Sequence, residues 1–307
     1  MNTKWMLIAA VVWAWTNLVE PFHLRLRRRS LILPSIPACL DGLTILHLSD
    51  LHVRKMGFLE RKLVRLLANT SADLAVLTGD LVDSASGIQP LCEVVSHLQT
   101  SLGVYAVWGN AEHKSPEPSY RDRLQEALES AGVRVLVNEG TTLPYRNAIL
   151  WLAGVDDPHS AHADIAKAAP DARCADLHLL LAHSPDILLH PLCARFDLVL
   201  CGHTHCGQIR LPGWGALWSH TRLGRWSGDC VLTPEQIARR LQRPAPQPYT
   251  IVSSGVATVG NPLFKARLFC PPEVGLIELY SSACEPAHTL AKKASRDQDI
   301  SPAQRCE

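Results

Sequence analysis

Five short apolar runs in this chain each lead into a residue able to hold a metal ion, and that repeat limits the possible folds more than any other feature. Thr44 to Leu48 leads into Ser49-Asp50-Leu51-His52, Leu74 to Leu77 into Thr78-Gly79-Asp80, and Val104 to Trp108 into Gly109-Asn110. Leu177 to Leu181 leads into Ala182-His183, and Leu198 to Cys201 into Gly202-His203-Thr204-His205. Short continuous apolar runs read as parallel strands covered on both faces. Polar residues at the carboxyl ends of such strands converge on the crevice where open α/β sheets bind ligands. The pattern therefore directs Asp50, His52, Asp80, Asn110, His183, His203 and His205 to one place.

Helical spacing of apolar residues over Leu59 to Asn69, Leu91 to Leu98 and Leu124 to Ala131 alternates with the first strands, which predicts parallel crossovers and an α/β class. Thr141 to Val155 and Tyr249 to Tyr280 hold short apolar stretches without long helices and read as strands, with Asn147 in a hairpin turn.

Imidazole and carboxylate without thiolate suit zinc, manganese, iron or nickel better than calcium. Seven donors are too many for one tetrahedral ion, so two fit better, with Asp80 in the middle of the ligand order as the natural bridge. Paired cations lower the pKa of water from about 16 toward roughly 7, so no activated Ser or Cys is needed.

These blocks, Asp-x-His, Gly-Asp, Gly-Asn, His and Gly-His-x-His, resemble the calcineurin-like metallophosphoesterases over roughly Leu43 to Leu279. The resemblance implies a two-sheet sandwich flanked by helices, with two divalent ions (manganese, zinc or iron) at the sheet edge. By position it implies Asp50, His52, Asp80 and His205 on one ion, and Asp80, Asn110, His183 and His203 on the other. The strings Ala182-His183-Ser184-Pro185-Asp186 and Gly202 to Pro212 are similar to a membrane-associated branch. That branch includes bacterial phosphodiesterases and, more distantly, enzymes that cleave the pyrophosphate of UDP-2,3-diacylglucosamine in lipid A synthesis.

One position departs from the family. Gly-Asn is usually followed by a histidine that acts as general acid or orients the phosphate, and here Ala111 stands in its place. Loss of a positioned proton donor costs about 100-fold to 10,000-fold in rate. The expected catalytic residues are then Asn110, orienting phosphoryl oxygens, and His113, two positions beyond the alanine. A leaving group of low pKa needs the acid least. Asp83 reads as an orienting residue, Glu112 equally as a hydrogen-bonding or a solvent-facing group, and His47, His159 and His162 as ordinary surface or core histidines.

A net charge of +1 gives no reason to expect nucleic-acid binding. Local charge says more. Trp5 to Val19 is apolar apart from Thr16 and Asn17, and Arg25 to Arg29 carries four arginines. Fifteen helical residues reach only about 22 Å against a bilayer core of about 30 Å, so a short span, an interfacial anchor, a signal peptide and a helix packed on the domain all compete. Charge dense after the run places the remainder at the cytoplasmic face of the inner membrane. Ten scattered cysteines without Cys-x-x-Cys spacing fit a reducing compartment.

The expected divisions are an anchor and basic flank over 1–30, the metallophosphoesterase domain over 41–281, and a polar tail over 282–307. Within the domain, 212–248 is a substrate-facing insertion in which Arg222 and Arg225 alternate with tryptophans, and Thr233-Pro234 starts a short helix that carries Arg239 and Arg240. The expected substrate is a phosphorylated small molecule or lipid. A soluble nucleotide phosphodiesterase and a metal-binding sensor with weak turnover are the alternatives.

Overall fold

Runs that are apolar throughout need cover on both sides, and the chain supplies it with two stacked sheets and helices outside them. A computed structural model describes residues 3–283 apart from 116, 118, 171–173, 229 and 261–264. Most of the polar tail expected over 282–307 lies outside the described residues.

The strands of the two large sheets are β1 (Arg25–Ile32), β2 (Leu43–Leu48), β3 (Leu74–Thr78), β4 (Val104–Val107), β5 (Val133–Val135) and β6 (Glu139–Tyr145). They continue with β7 (Ala148–Gly154), β8 (Leu177–Leu181), β9 (Leu198–Cys201), β10 (Val231–Leu232), β11 (Tyr249–Val252) and β12 (Glu273–Tyr280). The first sheet runs β1-β12-β2-β3-β4-β5 and the second β10-β11-β9-β8-β7-β6. Strands β2, β3 and β4 are parallel, as are β8 and β9, so all five ligand-bearing ends carry their loops past the carboxyl edge.

Alternate residues divide between layers. Ile45, Val76 and Val107 meet Leu152, Leu179 and Leu200 between the sheets, while Leu46, Leu77 and Ala106 face the helices Phe58–Ala68, Ile88–Val95 and Tyr120–Ser130. On the far side Leu180, Val199 and Val252 pack with Ile187, Phe196 and Ile237. The α/β sandwich flanked by helices is thus the observed architecture. Helices start up to four residues before the expected positions, at Phe58, Ile88 and Tyr120. Asn147 does lie in the β6–β7 hairpin turn, and Thr233 caps helix Pro234–Leu241 by accepting the Gln236 amide.

The basic flank has a second role. Arg25–Ile32 pairs in parallel with Glu273–Tyr280 as the edge of the first sheet, and Arg29 holds the Glu273 carboxylate through contacts of 2.8 and 3.0 Å. Charged residues on an edge strand discourage pairing with other chains.

Ahead of it, Thr3–Phe22 is a 20-residue apolar helix, long and apolar enough by length and composition to cross a membrane. Trp5, Leu7, Trp13 and Leu18 are exposed rather than packed on the domain. Glu20, which interrupts the apolar run, is 4% exposed and accepts hydrogen bonds from Trp15 Nε1 at 2.9 Å and the Cys270 amide at 2.6 Å. The carboxylate therefore faces protein, not the helix's open side.

Candidate metal centre

The loop after β2 brings Asp50 and His52 to the edge, and the loop after β3 brings Asp80 against them. Backbone bonds join the two loops: the Asp50 amide donates to Gly79 O at 3.1 Å and the His52 amide to Asp80 O at 2.9 Å. Asp50, His52, Asp80, His203 and His205 all have φ between 43° and 65°, a left-handed conformation that side-chained residues adopt at a cost. Such outliers, held by surrounding structure, concentrate at functional sites. A Cβ on Gly202 would collide with Ser49 Oγ and Asp50 Oδ2, so only glycine lets the β9 loop meet the β2 loop.

Asp80 lies between two imidazoles. Its Oδ2 is 3.4 Å from His52 Nε2 and its Oδ1 is 3.4 Å from His183 Nε2. On one side Asp50 Oδ1 lies 3.4 Å from His205 Nε2. On the other, one terminal atom of the Asn110 amide is 3.2 Å from His183 Nε2 and 2.8 Å from His203 Nδ1, and those two nitrogens are 3.2 Å apart. All seven residues expected from the sequence come together.

The ring nitrogens that face inward are set from behind. His183 Nδ1 donates to Thr78 O at 2.7 Å and His203 Nε2 to His220 O at 3.0 Å. His52 Nδ1 meets Asp83 Oδ1 at 2.7 Å, which leaves Nε2 buried with no hydrogen-bond partner. Outer carboxylates and carbonyls of this kind orient metal-binding histidines. An orphaned buried nitrogen beside two carboxylates is what a cation would complete, and the described residues grouped there supply imidazole and carboxylate without thiolate.

The clustered groups shift one another's protonation. Burial opposes the Asp80 charge, but His183 and His52 beside it hold the carboxyl well below the usual range. Burial, with Asp80 nearby, raises Asp50. Burial opposes protonation of His183, yet Asp80 and Asp50 lift it to about 10. Burial and the neighbouring His183 push His203 down to about 3, and burial with Arg267 lowers His205.

Glu112 is buried, and its carboxylate accepts the amides of Leu81 at 2.8 Å, Gly109 at 2.8 Å and Asp80 at 3.0 Å. It ties the Asp80 and Asn110 loops together, which resolves its open reading in favour of hydrogen bonding. Burial and the Asp80 charge raise it to about 7. Ala111 serves Asp80 through its backbone, donating its amide to Oδ1 at 2.7 Å.

His113 bonds elsewhere. Its Nε2 lies 2.6 Å from Asp156 Oδ1 and its ring stacks on His162 with centroids 4.0 Å apart. His159, read as ordinary, instead packs on His203 at a centroid distance of 4.4 Å. Arg267 carried no local signal at all. It is fully buried, donates to the carbonyls of Ser254, Ala257 and Cys270, and reaches to 3.5 Å from His205 Nδ1.

The 212–248 segment touches the site through the His220 carbonyl and, farther out, through the Arg222 amide on Asp186 Oδ1 at 2.9 Å. Arg225 and Arg240 line a cavity of about 320 Å³ with Trp214 and Trp226, and none of the seven clustered residues lines it. Arg239 is exposed on the helix Pro234–Leu241. The eight cysteines among the described residues are free thiols.

Two sandwiched sheets whose edge loops gather imidazoles and carboxylates around a shared aspartate define a hydrolase class that works with paired metal ions. Sequence comparison agrees, since the family model for the calcineurin-like phosphoesterases matches residues 43–207. The chain belongs to that family of metal-dependent hydrolases. It is 30% identical over 240 residues to phosphodiesterase YaeI of Escherichia coli (strain K12), covering 76% of this chain and 81% of the relative. It is 27% identical to the UDP-2,3-diacylglucosamine pyrophosphatase LpxG of Chlamydia trachomatis, covering 87% of this chain and 92% of that one. With the uncharacterized metallophosphoesterase YkoQ of Bacillus subtilis, identity is 32% over 173 residues, 55% of this chain and 63% of the relative's length.

Proposed function

We propose that the protein hydrolyses a phosphodiester or pyrophosphate bond of a lipid-linked substrate, such as UDP-2,3-diacylglucosamine, at the cytoplasmic face of the inner membrane. The observation that carries the catalytic part is the position of Asp80, with one carboxylate oxygen toward His52 and the other toward His183. In this reading Asp50, His52, Asp80 and His205 hold one cation, and Asp80, Asn110, His183 and His203 the other. Manganese, zinc or iron bound there supplies Lewis-acid polarisation of phosphoryl oxygens and acidifies water.

The protein's own groups do the positioning. Thr78, His220 and Asp83 fix which nitrogen of His183, His203 and His52 faces inward. Asn110 orients a phosphoryl oxygen, Glu112 holds the loops of Asp80 and Asn110 in register, and Arg267 supports the His205 loop. The Ala111 side chain has no proton to give. A substrate whose leaving group departs without strong acid assistance, such as a nucleotide phosphate, suits the site best.

Support for a lipid substrate comes from the exposed apolar helix Thr3–Phe22 and from similarity to a protein named as a UDP-2,3-diacylglucosamine pyrophosphatase along most of both chains. The arginines at Arg25 to Arg29 support the cytoplasmic side. A soluble-substrate reading draws on the relative named only as a phosphodiesterase. The test is hydrolysis of UDP-2,3-diacylglucosamine beside bis(p-nitrophenyl) phosphate by metal-depleted protein, with manganese, zinc or no metal restored. Metal-restored cleavage of the lipid is expected. Cleavage of the small diester alone favours the soluble substrate, and cleavage of neither with metal bound favours a sensor.

A further inference from the structure

Two cavities adjoin, and His52 lines one of them. One, of about 310 Å³, is lined by His52 and Asp83 together with Arg54, Lys55 and Lys265. The other, of about 520 Å³, lies between the end of the apolar helix and the domain, lined by Trp13, Leu18, Phe22, Phe58 and Leu59. Gly57, Glu60, Ala257, Thr258 and Lys265 line both, so cationic and apolar halves form one groove leading away from the metal centre. Its larger half falls within the size range of small-molecule sites, roughly 300–1,000 Å³.

Folding does not account for the apolar half. Phe58 is 64% exposed at the first position of its helix, where a polar residue costs nothing, and its ring meets Phe22 edge-on at 6.1 Å. Insertion of the amino-terminal helix in lipid would explain Trp13 and Leu18, but Phe58 belongs to the catalytic domain. Clustered exposed apolar side chains rimmed by charge mark interaction sites. In the cationic half Arg54 is engaged by Asp83 at 2.6 Å, whereas Lys55 and Lys265 make no ion pair among the described residues. Hydrogen bonds hold the wall in place: Lys62 Nζ donates to Phe22 O at 3.1 Å and the Arg267 amide to Thr16 O at 2.9 Å.

We propose that this groove binds one hydrocarbon chain of an amphiphilic phosphoester against Trp13, Leu18, Phe22 and Phe58, with Lys55 and Lys265 holding the anionic headgroup next to His52. It rests on the lipid-substrate reading above and assigns that substrate a place distinct from the Arg225–Arg240 cavity. Charge complementarity and continuity with His52 select a lipid phosphate over an apolar peptide.

The test uses the full chain in phosphatidylcholine nanodiscs with a dodecyl phosphate bearing a terminal diazirine, and the matching dodecanol as control. Labelled peptides are mapped by mass spectrometry. The phosphate probe is expected to label residues 57–59 at least about five-fold more than the alcohol, with unlabelled dodecyl phosphate competing. Lys55→Glu with Lys265→Glu should remove most of that excess, and Ile149→Ser, a change at an exposed apolar site elsewhere, should leave it. Equal labelling by the alcohol, or none at 57–59, overturns the proposal. Hydrolysis without this labelling leaves the enzymatic reading standing and rejects the groove; labelling without hydrolysis of lipid or diester does the reverse.

Discussion

The Arg267 amide donates to Thr16 O at 2.9 Å, so the residue that supports the metal-site loops also ties down the apolar amino-terminal helix. Its guanidinium is fully buried among carbonyls, with no ion pair to a carboxylate among the described residues. Burial lowers its pKa, partly offset by Cys270 and Asp50 nearby. Arg267→Ala would strand those carbonyls and free His205 to move. The expected loss is about 3 kcal/mol, or roughly 6–12 °C in Tm, together with lower metal retention. Thermal unfolding and elemental analysis of the variant check both; an unchanged Tm would remove the support role assigned to Arg267.

His47 predicts an acid limb in stability. It is buried, faces Thr78 Oγ1 at 2.9 Å, and burial together with the Arg29 charge pushes its pKa down to about 3. The folded state therefore favours the neutral ring. Its contribution is fully present above the unfolded value near 6.5 and is lost as pH falls toward 3, at up to about 1.4 kcal/mol per pH unit. His47→Gln should flatten that part of the profile of Tm against pH. If the two profiles stay parallel from pH 6.5 to 4.5, another group controls the acid limb.

Proton donation separates Ala111, His113 and His159. Ala111→His places an imidazole beside Asp80 without removing the amide that bonds Oδ1. It should speed hydrolysis of alkyl leaving groups by about 10-fold to 100-fold while changing p-nitrophenolate release little. His159→Gln, beside His203, should slow the alkyl substrates more than His113→Gln, because His113 is engaged by Asp156. A leaving-group series measured on all three variants decides, and equal responses across the series would exclude a proton-donor role at these positions.

Much of the centre is legible along the chain because each ligand follows a buried strand directly. Strand direction then fixes where Asp50, Asp80, Asn110, His183 and His203 go, with little left to long-range packing. Contacts made across the fold carry no such signature. Arg267 sits far from any motif, and the stacking of His159 on His203 depends on how the loop after β7 lies over the one after β9. Arg25–Ile32 is equally concealed: its arginines read as a membrane flank, while pairing with Glu273–Tyr280, 248 residues away, makes it a strand. The same holds for the groove at Phe58, which needs the amino-terminal helix folded back against it.

The central claim is that Asp80 serves two cations at once. Metal content per chain, measured by elemental analysis on wild type and Asp80→Asn after equilibration with manganese, tests it most directly, with hydrolysis of bis(p-nitrophenyl) phosphate followed in parallel. Two ions per chain in the wild type are expected. The variant should hold no more than one and lose at least about 100-fold in rate. Two ions retained in the variant, or one ion in a fully active wild type, would contradict the account.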